Sequence, residues 1–261
     1  MNIRFIITLL LAASAFISQA ETKVIAHRGF WNTPGSAQNT TTSFAKADSI
    51  GCYGSEIDVW LTTDGRLLVN HDRNFRGYEM EFTPSKKLRS LRLENGECMP
   101  TLDEYLATVR NHPGTRLILE MKSLSDYSRE DLEAKMIFNK LRKYGLTDRT
   151  DIIVFSLNAA MAFKKLYPTG MNIYYLDGDL SPKKLKKLGL AGLDYSVKVM
   201  KKHPEWVEEA HKLGLEVNVW TVNTPEDMKY FRDLGVDYIT TDHPDKALEL
   251  YGQKKADNKV K

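Results

Sequence analysis

The sequence predicts an α/β chain that closes as a (β/α)8 TIM barrel, on three observations. In the second half, apolar strand candidates recur at intervals of roughly 20 residues, as expected of βα units. Helices with explicit start and stop residues lie between them, which implies a parallel sheet. Three further strand candidates in the first half bring the total to eight, the number that closes such a barrel.

The early strands read "KVIAHRG" (23–29), "SEIDVW" (55–60) and "TRLILEMK" (115–122). The later five are "DIIVFSL" (151–157), "NIYYL" (172–176), "GLDYSV" (192–197), "EVNVWTV" (216–222) and "VDYITT" (236–241). Helix punctuation is clear in "SPKKLKKLG", where Ser181 is placed as N-cap, Pro182 at the first helical position and Gly189 past the end. "TPEDMKYFRDLG" repeats the scheme with Thr224, Pro225 and Gly235, and puts Asp227 in the first turn. "HPEWVEEAHKLG" does so with Pro204 and Gly214. The rival architecture, a doubly wound open sheet, has no glycine-rich fingerprint after its first strand to support it.

"RLLVNHD" (66–72) is a ninth strand candidate. Asp64-Gly65 is a two-residue hairpin signal, so this strand is expected to fold back on 55–60. A turn centred there pairs residues whose numbers sum to about 129 and sets Asp58 opposite His71. Residues 73–100 are polar without a clear period and are read as a small insertion over the mouth of the barrel. "TLDE" (101–104) then caps a helix running to about Asn111.

Residues 1–20 carry one basic residue (Arg4), a short apolar run and a small-x-small ending at Ala20, the pattern of a cleaved export signal. That run is too short for the ~20 residues of a membrane span, so an exported protein, periplasmic or secreted and without stable membrane insertion, is expected. The barrel domain is assigned to 23–251 and a flexible tail to 252–261. The 37 basic and 34 acidic residues nearly balance, and there is no basic block with interleaved aromatics, which argues against nucleic acid as a partner. An oxidising compartment permits a bridge between Cys52 and Cys98, although a domain of this size does not require one. The sequence carries no signal for oligomeric state.

Catalytic groups of such barrels sit at the C-terminal ends of the strands. Those ends bring together His27, Arg28, Glu56, Asp58, His71, Glu120, Lys122 and Trp220. Three clustered carboxylates repel one another unless a cation cancels their charge, and hard oxygen ligands suit one divalent ion, Ca2+ or Mg2+. Two histidines can take and give protons near neutral pH, while Arg28 and Lys122 match phosphate oxygens. A phosphodiester fits this set. Trp220, Tyr174 and Tyr175 either line a pocket for an apolar or cationic head group or pack the barrel.

"AHRG" (26–29), "NT" (39–40), "EIDVWLTTDGRLLVNHD" (56–72), "LRSLRL" followed by "PTLDEYL", "LILEMK" (117–122), "VNVWTVN" (217–223) and "GVDYITTDHP" (235–244) occur in that order. Through them the chain resembles the glycerophosphodiester phosphodiesterase family across about 24–250. The resemblance implies hydrolysis of glycerophosphodiesters to glycerol 3-phosphate and an alcohol. It places the metal ligands on Glu56, Asp58 and Glu120, the acid/base pair on His27 and His71, and phosphate binding on Arg28 and Lys122. It further implies attack by the substrate's own 2-hydroxyl, giving a cyclic phosphate that water opens. One departure stands out: Gln38 occupies the position of a glutamate usual in the family, which exchanges a charged partner for a neutral one. Two other readings keep the same barrel, namely a phospholipase D-like enzyme acting on (lyso)phospholipids and a phosphodiester-binding protein without turnover. Retention of both histidines speaks against the second, since binding alone needs no acid/base pair.

Overall fold

The computed structural model describes residues 21–167 and 170–253. The expected export signal (1–20) and all but the first two residues of the expected tail lie outside the described residues. Eleven strands are present in chain order among the described residues: β1 (Lys23–Ala26), β2 (Gly54–Leu61), β3 (Leu67–Val69), β4 (Asn74–Phe75), β5 (Tyr78–Glu79), β6 (Arg116–Met121), β7 (Thr150–Val154), β8 (Ile173–Tyr175), β9 (Gly192–Ser196), β10 (Glu216–Trp220) and β11 (Tyr238–Thr241). The α-helices are α1 (Thr41–Ile50), α2 (Ser85–Arg89), α3 (Leu102–Asn111), α4 (Tyr127–Tyr144), α5 (Leu157–Leu166), α6 (Pro182–Leu188), α7 (Val197–Lys202), α8 (Glu205–Lys212), α9 (Pro225–Leu234) and α10 (Pro244–Leu250).

β1, β2 and β6 to β11 are mutually parallel, and β1 pairs with both β2 and β11, so the sheet closes as the expected eight-stranded barrel. Local chemistry sets the helix ends. Thr101 and Glu104 form a capping box on α3, and the Thr224 hydroxyl accepts from Asp227 N at the start of α9. Ser181 occupies the N-cap of α6 but makes no side-chain cap bond, so Pro182, with its preset φ, carries that start. Gly189 and Gly235 close α6 and α9 at positive φ.

Strand alternation divides the residues into two shells. Ile25, Ile118, Ile153, Tyr174, Leu176 and Tyr238 fill the barrel, whereas Ile57, Val59, Leu119, Val154, Val217 and Val219 pack outward against the helices. Each such side chain removed from water contributes about 1.5–3 kcal/mol. Low in the barrel, Arg116 forks onto Asp151 at 2.6 and 2.8 Å and Tyr238 donates to Glu216 at 3.0 Å. Tyr174 also donates to Glu216, and Tyr175 packs in the outer shell against Tyr195. Both tyrosines therefore serve barrel packing rather than a head-group pocket.

β3 does fold back antiparallel on β2, with a register one residue away from expectation. Val59 faces Val69 and Leu61 faces Leu67, so Asp58 lies opposite Asn70, whose N–H reaches Asp58 O at 3.0 Å. The cause is the turn. Thr62 N bonds Arg66 O, leaving a three-residue loop with Gly65 at φ +70°, where a two-residue Asp-Gly turn was expected. The Asp64 carboxylate accepts from Thr62 Oγ1 (2.6 Å) and from Ser85 N and Oγ (2.9 and 2.8 Å), which ties the turn to the insertion. The insertion itself folds as the β4–β5 hairpin followed by α2, anchored by buried Leu88. No disulfide joins Cys52 and Cys98. Cys52 precedes β2 at the lower end of the barrel, whereas Cys98 belongs to the insertion at the mouth and accepts from Arg92 Nη1 at 2.6 Å.

Candidate active site

Glu56 and Asp58 point into the barrel from β2, and the β2–β6 register sets Glu120 beside Asp58. All three are buried, and one oxygen from each lies within 4.8 Å of the others. Glu56 Oε2 accepts Arg28 N at 2.7 Å. Asp58 exchanges two bonds with Asn39: its Oδ2 accepts Asn39 Nδ2 at 2.8 Å, and its N–H donates to Asn39 Oδ1 at 3.0 Å. Lys122 Nζ lies 3.2 Å from Asp58 Oδ1 and 2.7 Å from Glu120 Oε1, the second contact being out of line for a hydrogen bond.

The electrostatics follow from this packing. Burial, then Asp58 and Glu120, push the Glu56 carboxyl well above its ordinary range. Burial and Asp58 push Glu120 up to about 8 against the pull of Lys122. For Asp58 burial works upward too, but Lys122, His71 and Asn39 together hold it low. Lys122 is raised: burial opposes its charge, and Asp58 and Glu120 more than restore it. Lys122 thus pairs with two of the three inward carboxylates, Arg28 Nε stands 4.0 Å from Asp58 Oδ2, and Glu56 Oε1 is buried with no hydrogen-bond partner among the described residues. A hard divalent cation fits this donor set.

His27 follows β1 directly, with its N–H on Thr241 O at 3.0 Å. Its Nδ1 lies 2.8 Å from Asp242 Oδ1. Asp242 also accepts Asn223 Nδ2 at 2.7 Å and Trp31 Nε1 at 3.3 Å. Burial alone would raise that carboxyl, yet the bond from His27 and those from Asn223 and Trp31 bring it down to about 2. Against an ionised carboxylate Nδ1 is the donor, which leaves Nε2 as the reactive nitrogen. His71 repeats the arrangement on the exposed Asp72, with Nδ1 at 2.7 Å. Burial first, then Lys122 and Arg28, lower the His71 pKa, while Asp58 and Asp72 oppose them.

Arg28 has φ +56°; it donates through Nη1 to Gln38 Oε1 at 2.8 Å, and its buried Nε has no hydrogen-bond partner among the described residues but lies 4.0 Å from Asp58 Oδ2. Gln38 therefore still orients the guanidinium, without a charge of its own. Lys122 sits between two carboxylates, so its ammonium is already engaged by the acidic cluster. Trp220 donates Nε1 to Asp194 O at 2.8 Å and meets Phe155 edge-on at 5.9 Å. His27, Arg28, Glu56, His71, Glu120 and Trp220 all line one cavity of about 130 Å³. Arg28 and His71 also border a larger groove of about 410 Å³, walled by Phe75, Arg76, Leu93 and Glu94 of the insertion. Sequence reasoning missed the parts played by Asn39, Asp72, Asp242 and Asp194. The first three lie inside the motifs quoted above, while Asp194 carries no motif at all.

Residues 27–246 match the glycerophosphoryl diester phosphodiesterase family. A glycerophosphodiester phosphodiesterase of Bacillus altitudinis is 30% identical over 249 residues, covering 90% of this chain and 100% of that protein. The crystal structure of a glycerophosphodiester phosphodiesterase from Parabacteroides distasonis superimposes with a TM-score of 0.88 at 43% identity, covering 90% of this chain and 98% of the other. An Oleispira antarctica phosphodiesterase, solved in complex with the product sn-glycerol-3-phosphate, shares the fold at a TM-score of 0.79 and 24% identity, over 89% of this chain and 97% of its own. With its acidic triad and paired histidines at one end of a closed parallel barrel, the chain belongs to the glycerophosphoryl diester phosphodiesterase family and is a phosphoric diester hydrolase.

Proposed function

We propose that the enzyme cleaves glycerophosphodiesters to glycerol 3-phosphate and an alcohol by a cation-dependent, two-histidine mechanism. The observation that carries this reading is the doubled His–Asp arrangement, His27 on Asp242 and His71 on Asp72, beside a cavity that both rings share with two of the three buried carboxylates. Glu56, Asp58 and Glu120 would hold one divalent ion, Ca2+ or Mg2+. When bound, that ion would cancel their charge and polarise the phosphoryl oxygens.

The Arg28 guanidinium, with Nε 4.0 Å from Asp58 Oδ2 and Nη1 steadied by Gln38, is placed to bind a phosphate oxygen. One histidine accepts the proton of the glycerol 2-hydroxyl as its oxygen attacks phosphorus. The other gives a proton to the departing alcohol oxygen, and a cyclic phosphate remains. Water then adds to phosphorus, the bond to the 2-oxygen breaks, and the histidines exchange duties. Each positioned transfer supplies typically ~10²–10⁴-fold. Lys122 keeps Asp58 and Glu120 oriented and balances part of their charge.

Among the described residues no helix is long and apolar enough to cross a membrane. We propose export with cleavage after Ala20, since β1 begins three residues later at Lys23. N-terminal sequencing of the exported protein should return Glu21. For the chemistry, the deciding assay is a panel of glycerophosphodiesters, run after chelation and again with calcium or magnesium. Chelation is expected to abolish turnover and a divalent ion to restore it, while a diester lacking the neighbouring hydroxyl stays intact. Full activity of the chelated protein would overturn the cation requirement, and rapid hydrolysis of bis(p-nitrophenyl) phosphate would overturn attack by the 2-hydroxyl.

A further inference from the structure

One buried acid in the catalytic cavity has no part in the mechanism above. Asp194 lies on β9, across the barrel from the acidic triad; it is 2% exposed, and its Oδ1 finds no hydrogen-bond donor among the described residues. The β9–β10 register sets Asn218 beside it. The Asn218 amide gives its N–H to Thr240 Oγ1 at 2.8 Å, and its own Oδ1 also lacks a partner. Asp194 Oδ1 and Asn218 Oδ1 are thus two buried acceptor oxygens on neighbouring strands with no hydrogen-bond partner among the described residues, and the Asn218 amide acts only on the remainder of the Asp194 carboxyl. Asp194 and Thr240 line the catalytic cavity together with His27, His71 and the triad glutamates.

A buried acceptor without a donor costs roughly 1–3 kcal/mol, so a ligand that brings a hydroxyl is strongly preferred there. Burial raises the Asp194 carboxyl to about 7, against the opposing pull of the neighbouring Asn218 amide. Its surroundings narrow the ligand. The Trp220 indole is fixed to the Asp194 carbonyl at 2.8 Å and braced by Phe155, and Leu176 and Ile153 continue the same apolar wall. Such a wall accepts a short carbon chain, with one polar end reaching the floor.

From this we infer that Asp194 is the specificity-determining contact for the free terminal hydroxyl of the substrate's glycerol, accepting its hydrogen bond while Trp220 and Leu176 cover the carbon chain. The assignment rests on the catalytic reading above. Of the three glycerol oxygens, one carries phosphate and one attacks, which leaves the terminal hydroxyl as the donor still to be placed. An acyl ester at that oxygen removes the donor and adds bulk at the floor of the cavity. Asp194 therefore selects the deacylated diester over its lysophospholipid counterpart.

The test compares glycerophosphoethanolamine with its 1-deoxy analogue, the same diester of propane-1,2-diol, under saturating divalent cation. The wild-type enzyme is expected to favour the glycerol diester by about 10- to 100-fold in kcat/KM, the range of a hydrogen bond to a charged group. Asp194→Ala should lose that preference, slowing the glycerol diester about 10- to 100-fold more than the deoxy diester. Asp194→Asn, whose amide oxygen still accepts, should keep part of it. The wild-type comparison stands even where the alanine variant does not fold. Equal rates for the two diesters in wild type, or equal slowing of both by Asp194→Ala, would overturn the assignment. Failure of the wild-type enzyme to hydrolyse either diester would overturn the catalytic reading itself, and this assignment with it.

Discussion

Glu56→Gln should stabilise the ion-free protein and at the same time abolish its response to divalent cations. The side chain is buried against Asp58 and Glu120, and its one hydrogen bond among the described residues is accepted at Oε2 from Arg28 N. Glutamine keeps that acceptor, removes a carboxyl whose ionisation burial and its two acidic neighbours disfavour, and puts an N–H where Oε1 stood. Relief of an unsatisfied buried polar atom is worth about 1–3 kcal/mol. For a chain of this length each kcal/mol moves the melting temperature by about 2–4 °C, so the variant should melt several degrees above wild type in chelator. A cation at 100 times its Kd stabilises the folded state by about 2.7 kcal/mol, a rise of roughly 5–11 °C in wild type. In the variant the triad has lost a charged ligand, and most of that rise should vanish. Calorimetry in chelator, then in excess calcium or magnesium, measures both effects in one series. If the variant keeps the wild-type cation shift, Glu56 is not a ligand. If it melts below wild type in chelator, the reading of its burial as uncompensated is wrong.

Three further expectations follow from single contacts. Asp242→Asn removes the carboxylate that orients His27 and should lower kcat on the order of 10²-fold with the cation-induced melting shift intact; a kcat within threefold of wild type would leave Asp242 no positioning role. Asn39→Ala breaks both bonds to Asp58 and forces alanine to φ +60°, which should cost about 2–4 kcal/mol and weaken cation affinity about 10- to 100-fold, read by calorimetry and by titration. The third concerns pH. Burial holds the folded Asp194 carboxyl near 7 against about 3.9 unfolded, so the native state binds the extra proton between those values, and this group's contribution to stability falls as pH rises through that window. The full span corresponds to about 4 kcal/mol at most, and Asp194→Asn should flatten the slope of unfolding free energy between pH 5.5 and 7; an unchanged slope would show that another group sets it.

The barrel was legible because its signals are local. Strand candidates bounded by proline- and glycine-marked helices need no tertiary information, and all eight candidates form barrel strands. The hairpin register was less legible. Asp64-Gly65 fits a two-residue turn as well as a three-residue loop with glycine at positive φ, and bonds from Thr62 to Arg66 and from Asp64 to Ser85 select the second. The last of these spans 21 residues, from the turn to the start of α2, and a reading of the turn alone does not contain it. Helix α4 was passed over because "YSREDLEAKMIFNKLRKY" carries neither proline nor an internal glycine to mark it, and its Asp126 N-cap sits in a polar run.

Within the site, legibility followed the same division. Glu56, Asp58 and Glu120 declared themselves as charges at apolar strand positions, and strand parity alone puts Glu56 and Asp58 on one face. Asp242 is different. Its partner His27 is 215 residues away, and the two meet because β1 and β11 close the barrel. The pairing of Ala26 with Thr241 carries the next residue of each strand, His27 and Asp242, to neighbouring positions at the same rim. Closure thus supplies the histidine's carboxylate, and an open sheet of the same strands would leave His27 without it. Asp194 was hidden for the opposite reason. Its strand ends like any other, and only the cavity around it shows that a carboxyl oxygen there has no donor. The acid at the seam is therefore a product of topology, and the acid on the floor is a product of what the barrel encloses.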